Sequence, residues 1–295
     1  MKPPDPFTAR PAAPADAAAI AAVFNAREEA YSPEPARLGE REIGKWLDRS
    51  TGSIVVIENG EIVAAGRAMP RGDALSVESV VLPDATGRGL GAFLLDWSEE
   101  QARERRTGAL RISALAGDER AKELLAARSY VYIRSFYWML IDLIEPPPRP
   151  RWRAGVTVAP LGEDEESLLY EAIEESFAEH WGHVPRNFEE WRRGLILEHD
   201  LTFLAREGEE IAGAVVCNED LFGVALVGIL GVRKPWRGRG LGRALLLQGF
   251  GALYDRGKRT IGLGVDAGNE TGALELYESV GMRVGGQEDV YERHV

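Results

Sequence analysis

Val232-Arg-Lys-Pro-Trp-Arg-Gly-Arg-Gly-Leu-Gly-Arg243 follows an apolar run and opens a helical pattern. Residues 233–243 hold five cations (Arg233, Lys234, Arg237, Arg239, Arg243) and no acid, in a chain of formal net charge -12. Cations at a helix start are misplaced on their own, because the free N–H groups and the positive end of the helix dipole already favour negative charge there. An anionic ligand reverses that balance. Gly238, Gly240 and Gly242 remove the β-carbons that would hold a phosphate off the backbone N–H groups, so the stretch reads as a diphosphate cradle on a helix N-terminus. Other glycine loops fit less well. A Walker loop needs a Gly-Lys-Ser/Thr ending, and a dinucleotide fingerprint needs its last glycine at position 243, where Arg243 stands.

A chain of 295 residues, 45% of them apolar, buries substantial cores, and its length points to two domains. The 35 basic against 47 acidic side chains argue against a general nucleic-acid surface, so phosphate contact is expected to be local. Cys217 is the sole cysteine; it excludes an intrachain disulfide, suits a reducing cytoplasm, and reads as a small apolar strand residue. No apolar run approaches the roughly twenty residues of a membrane span, and the start, Met-Lys-Pro-Pro-Asp-Pro, lacks the apolar core of a signal peptide. The expectation is a cytoplasmic monomer or homodimer with neither membrane nor nucleic acid as partner.

Hydrophobic periodicity and turn chemistry predict a strand at 7–10, helices at 16–30 and 38–49, and strands at 53–58 and 61–67 around the hairpin signal Asn59-Gly60. A strand at 75–82 precedes Thr86-Gly-Arg-Gly-Leu-Gly91, and Leu90, Phe93, Leu94 and Trp97 then recur at helical spacing as a core stripe. Strand 110–115, helix 119–127 and strand 135–143 follow. Glu145-Pro-Pro-Pro-Arg-Pro-Arg151 favours a stiff extended spacer, which divides the chain into a domain at 1–144, a linker at 145–153 and a domain at 154–295. The order then starts over: strand 156–159, helices 163–179 and 188–197, a hairpin of 201–206 with 211–217, strand 222–232, helix 241–256, strand 260–265, helix 271–280 and a last strand near Val290. Gly89-Leu-Gly91 and Gly240-Leu-Gly242 are offset by 151 residues, Tyr130 and Met282 by 152. One fold therefore occurs twice, and each copy is expected to be an α/β domain with a central mixed β-sheet flanked by helices.

Two motifs carry a family resemblance. Arg237-x-x-Gly240-x-Gly242 resembles the acyl-CoA pyrophosphate loop of the GNAT N-acetyltransferases, written Gln/Arg-x-x-Gly-x-Gly/Ala. Asn269-Glu-Thr-Gly-Ala-Leu-Glu-Leu-Tyr277-Glu-Ser-Val-Gly-Met282 resembles the family's Asn-x-x-Ala-x-x-Leu-Tyr-x-x-x-Gly-Phe signature, with Ala273, Leu276, Tyr277 and Gly281 in register. The resemblance implies two tandem GNAT-like domains and an N-acetyltransferase that uses acetyl-CoA as cosubstrate, with no metal. It implies that Arg237, Gly238, Arg239, Gly240, Leu241, Gly242 and Arg243 hold the pyrophosphate. Backbone groups of Leu230, Gly231 and Val232 are implied to pair with the pantetheine arm and polarise the carbonyl. Asn269 is implied to line the cofactor cleft, and Tyr277 to be the general acid for the departing thiolate.

The halves are chemically unequal. Thr86 stands where Arg237 stands, and Leu125 aligns with Tyr277. A leucine donates no proton, so the first half is expected to be a degenerate domain. Its Arg88, Gly89 and Gly91 leave a second, weak cofactor site open.

The base is less legible. Many relatives carry a glutamate on the strand before the loop, but residues 222–232 contain no acid. Candidates are Glu219 and Asp220 at the hairpin turn, Asp266 after the next strand, and His180 or His183, whose imidazoles titrate near neutrality. His180 and Trp181 are also candidate substrate contacts, against the alternative that Trp181 is core and the histidines are hydrogen-bonded or solvated. No third ligand stands near the histidine pair to favour a metal. The expected acceptor is a small-molecule primary amine attacking directly. An acyl-CoA sensor without turnover is the alternative, as is an acetyltransferase like the mycothiol synthases, which share the tandem layout but are expected to use the missing carboxylate. A serine hydrolase is disfavoured because no Gly-x-Ser-x-Gly elbow exists.

Overall fold

The structure, a computed structural model, describes residues 1–295. Elements of the first repeat, in chain order, are β1 (Thr8–Arg10), α1 (Ala17–Tyr31), α2 (Glu40–Asp48), β2 (Gly52–Glu58), β3 (Glu61–Arg71), β4 (Ala74–Val81), α3 (Leu90–Arg105), β5 (Ala109–Leu115), α4 (Glu119–Ala127) and β6 (Val131–Asp142). The second repeat gives β7 (Val156–Pro160), α5 (Glu166–Phe177), α6 (Phe188–Gly194), β8 (Thr202–Glu207), β9 (Glu210–Leu221), β10 (Val224–Val232), α7 (Leu241–Asp255), β11 (Thr260–Asp266), α8 (Ala273–Ser279) and β12 (Arg283–His294).

The chain forms two compact units. The first holds Met1–Tyr137, Asp266–Gly268 and Gly285–Val295, with strands in the order β1-β2-β3-β4-β5-β12. Only β4 and β5 run parallel in it. Ile20, Phe24, Ile43 and Trp46 of α1 and α2 pack on Val55, Ala65 and Val80. Leu90, Phe93, Leu94 and Trp97, the stripe expected from the sequence, pack with Leu75, Leu110 and Leu125 in a separate core.

The second unit holds Trp138–Val265 and Asn269–Val284, in the order β6-β11-β10-β9-β8-β7. Leu169, Ile173 and Trp191 of α5 and α6 pack on Leu204, Ala214 and Val216. The helix α7 buries Leu245, Leu246, Phe250 and Leu253 completely. Each such side chain contributes about 1.5–3 kcal/mol, which fixes the helix that presents the glycine loop. Cys217 is fully buried against Gly249, where a β-carbon would stand 2.7 Å from its Sγ, and burial pushes its thiol far up, as fits a packing residue.

The units do not follow the sequential division at 145–153, because each takes its terminal strand from the other repeat. In the first unit, β12 pairs antiparallel with β5, from Glu288 opposite Leu115 to His294 opposite Ala109. The second unit takes residues 138–142 of β6, and Leu143 N donates to Arg259 O at 2.7 Å.

Candidate active site

Gly240 caps α7 in the left-handed region, φ +78, and Gly238 also has positive φ, +71. Nothing lies within 4 Å of where a β-carbon would stand on either, so the faces of both glycines are open. Gly242 differs. A β-carbon there would lie 3.3 Å from Leu276 Cδ2 and 3.7 Å from Val232 Cγ2, so this glycine admits α8 and β10 against the helix rather than a phosphate. The first helix donor with an intrahelical acceptor is Ala244 N, bonded to Gly240 O at 3.1 Å. The N–H groups of Leu241, Gly242 and Arg243 are left for a ligand, as at any helix start.

Two glutamates of the α5 side pair with three of the five loop cations. Arg233 pairs with Glu175 at 2.6 Å, Lys234 with Glu179 at 2.7 Å, and Arg237 with Glu179 at 3.2 Å. Arg237 is further bound, donating to Val232 O at 3.0 Å and to Ser176 O at 2.9 Å. Its guanidinium braces the loop against β10 and α5. Arg239 and Arg243 are exposed and have no carboxylate partner. The cationic field at the helix mouth therefore comes from these two.

Beside the loop, β10 parts from β11. Their parallel pairing covers Ala225 opposite Ile261 and Leu226 opposite Gly262, while β10 stays paired with β9 to Val232 opposite Gly213. A bulge between Val227 and Ile229 marks the divergence. The open edge contains Leu230, Gly231 and Val232. A β-carbon on Gly231 would lie 3.1 Å from Ser176 Cβ, so α5 closes the strand's other side. At the bulge, Asn218 Oδ1 lies 3.4 Å from the β-carbon position of Gly228. The Asn218 amide is buried and donates to Ile196 O at 3.0 Å and to Glu198 Oε1 at 3.2 Å; Glu219 N also donates to that oxygen at 3.3 Å. Glu198 is thus a positioned carboxylate at the parting of the strands.

Tyr277 sits in α8, one residue after the Leu276 that touches Gly242. It is 8% exposed, and burial pushes its phenol up to about 12, so it holds its proton at neutral pH. Asn269 accepts from Thr271 N at 2.8 Å and from Thr271 Oγ1, shaping the turn before α8.

The acetyltransferase (GNAT) family model matches residues 20–130 and 167–282. The chain belongs to that family. It is a GNAT-type acetyltransferase with two GNAT domains, and the family uses acetyl-CoA. Among curated relatives, a mycothiol acetyltransferase of Thermobispora bispora is 28% identical over 91% of this chain and 93% of its own. Another, of Mycobacteroides abscessus, is 31% identical over 83% and 86%. A GCN5-related N-acetyltransferase from Sphaerobacter thermophilus is a solved structure with TM-score 0.82 and 33% identity, covering 99% of this chain and 97% of that one. A tandem GNAT protein from the clavulanic acid biosynthesis pathway shares the fold at TM-score 0.77 and 17% identity, covering 98% of each chain.

The remaining sequence candidates of this GNAT chain are dispersed. Glu219 is paired with Arg256 and, at 3.7 Å, with Lys258. Asp220 is exposed, one residue before the Leu221 that faces Val224 at the hairpin end. Asp266 is paired with Arg134. His183 Nε2 lies 3.3 Å from Glu174 Oε2, and the His180 ring tilts on Phe177 at 4.4 Å. Trp181 is 38% exposed; the buried core tryptophan of this region is Trp191, at 0%. No helix is long and apolar enough to cross a membrane.

In the first GNAT repeat the loop is engaged by its own chain. Arg88 makes a bidentate pair with Glu58, at 2.5 and 2.8 Å, and lies over the Phe7 ring at 4.4 Å. Pro4 stands 3.4 Å from the β-carbon position of Gly89, and Leu124 stands 2.9 Å from that of Gly91. Glu78 of β4 aligns with Ile229 by the 151-residue offset, a carboxylate the sequence reading passed over. Burial alone would raise the Glu78 carboxyl, but Arg67, bonded to it at 2.7 Å, and the Trp46 indole N–H, also at 2.7 Å, outweigh it and hold it below the usual range. Glu198 was missed too. It carries no motif, and Asn218, twenty residues on, is what fixes it.

Proposed function

We propose that the second unit transfers the acetyl group of acetyl-CoA to the primary amine of a small molecule by direct attack. One arrangement carries this reading: an open, left-handed glycine loop at the α7 N-terminus, beside a strand edge that has left its parallel neighbour, with a protonated tyrosine one residue from the loop's packing contact.

The residues present fit the cosubstrate. The N–H groups of Gly238 to Arg243 and the charges of Arg239 and Arg243 would hold the diphosphate, with Arg237 keeping the loop in shape. The backbone of Leu230, Gly231 and Val232, apart from the Val232 carbonyl that Arg237 holds, would take the pantetheine arm. Acetyl-CoA supplies a thioester carbonyl. Backbone donors on β10 stabilise negative charge developing on its oxygen. As the amine nitrogen bonds to that carbon and the C–S bond breaks, a proton leaves the nitrogen and another is needed by sulfur. Glu198, directly or through a water, takes the first in place of a β10 carboxylate, and Tyr277 gives the second. Asp220, His180, His183 and Trp181 are left to shape the acceptor side.

The first unit, with Arg88 bound by Glu58 and Pro4 against Gly89, is proposed to be a non-catalytic GNAT domain. The acceptors of mycothiol acetyltransferases are the first to test, because the curated relatives bear that name.

The test is a panel of primary amines assayed for thiol release from acetyl-CoA with the wild-type protein, Glu198→Gln and Tyr277→Phe. Turnover that falls about 100-fold or more in each variant, with acetyl-CoA binding retained, supports the assignment. Unchanged turnover in both variants, or a protein that does not bind acetyl-CoA, overturns it. Binding without turnover across the panel favours an acyl-CoA sensor.

A further inference from the structure

A depression beside the α7 N-terminus is lined by Arg151, Trp152, Arg153, Trp236, Arg239 and Gly240, among others, and holds about 310 Å³ including its open mouth. Its position is set by the start of β7. Val156 N donates to Arg153 O at 3.1 Å across a turn in which Gly155 has φ +89, and this returns 151–153 toward the loop.

The charges of this depression are unusual for the chain. Arg151, Arg153 and Arg239 have no carboxylate partner, although the protein carries 47 acids against 35 bases. Glu207 also lines the depression and keeps its negative charge, its Oε2 accepting from the Trp236 indole at 2.9 Å, so the three arginines outweigh it rather than stand alone. Trp236 is 8% exposed and so committed to packing, whereas Trp152 is half-buried and presents ring surface. Three arginines with no carboxylate partner and an available indole line one depression that shares Gly240 with the helix mouth, a set that matches a nucleoside carrying its own phosphate. Guanidinium groups suit the phosphate oxygens and the indole suits a flat base.

We propose that Arg151, Trp152 and Arg153, with Arg239, hold the adenosine 3′-phosphate end of CoA, and that the inter-repeat segment therefore selects CoA over its dephospho form. This rests on the reading that the α7 N-terminus cradles the diphosphate. The ribose is the next group along the cofactor from that diphosphate, and the 3′-phosphate and adenine branch from it. Residues 151–153 lie between the two stretches matched by the family model, 20–130 and 167–282.

Calorimetric titration of the full chain and of an Arg151→Gln/Arg153→Gln variant with CoA, 3′-dephospho-CoA and adenosine 3′,5′-bisphosphate tests this. Wild type is expected to bind CoA at least about tenfold more tightly than dephospho-CoA, the weight of one charge-assisted contact. The variant is expected to lose that discrimination while its dephospho-CoA affinity stays unchanged, and to weaken for the bisphosphate. Equal wild-type affinity for CoA and dephospho-CoA overturns the inference and leaves the acetyl-CoA reading standing, as does equal weakening of both by the variant. Absence of binding by all three ligands overturns both.

Discussion

Leu276 Cδ2 lies 3.3 Å from the point where a β-carbon on Gly242 would stand, and in the other repeat Leu124 Cδ2 lies 2.9 Å from the same point on Gly91. The glycine that ends each loop motif is there to let the next helix approach. Gly242→Val is expected to destabilise the protein by about 1–3 kcal/mol through overpacking, and to weaken acetyl-CoA binding by displacing α8 and Tyr277. Gly91→Val is expected to cost comparable stability and leave acetyl-CoA binding intact. Thermal unfolding with calorimetry on the two variants checks this, and weakened binding in both would show the loops to be functionally equivalent.

Both motifs and the repeat were legible because glycine spacing and turn chemistry act locally. The Gly240 and Gly238 conformations follow from their immediate neighbours, and the ends predicted for α4 match those observed. Exchange of the terminal strands was not legible. The pattern of β6 or β12 specifies which face is buried, not which edge it joins. Burial of Trp191 rather than Trp181 likewise depends on Tyr170, which meets Trp191 edge-on at 5.5 Å, and Phe188, which stacks on it at 6.2 Å.

Tyr277 is held up to about 12 by burial, above its ordinary 10.0. Its proton is thus retained throughout the range in which an amine acceptor becomes neutral. Activity is expected to rise with pH as the acceptor deprotonates and to show no alkaline limb from Tyr277 below about pH 11. In Tyr277→Phe the profile should keep its shape at lower height. Stability should fall between about pH 10 and 12, because the unfolded phenol ionises first.

Glu288 of the first unit is pushed up to about 7 from 4.5, by burial first and then by Glu78, Glu28 and Asp289, against the opposing charge of Arg27. The folded state prefers it protonated. Stability is therefore greatest below about pH 4.5 as far as this group is concerned, and declines as pH rises toward 7. Glu288→Gln is expected to stabilise the protein at pH 8 by at most about 3 kcal/mol and to flatten the loss between pH 5 and 7. Melting curves across that range decide it.

Arg237 and Arg239 separate bracing from binding within one loop. Arg237 holds Val232 O, Ser176 O and Glu179 together, so Arg237→Met leaves two carbonyls and a shared carboxylate short of a donor. A stability loss of about 1–3 kcal/mol is expected, with acetyl-CoA affinity falling because the loop shifts. Arg239 is exposed and unpaired, so Arg239→Met should leave the melting temperature unchanged. It should nonetheless weaken acetyl-CoA binding and reduce the dependence of that binding on salt, since it removes a solvent-exposed cation that meets the ligand's phosphates. Titrations at low and high ionic strength beside the melting curves distinguish the two. If Arg239→Met binds acetyl-CoA as wild type at both ionic strengths, its charge does not reach the ligand, and Arg243 alone supplies the cationic field at the helix mouth.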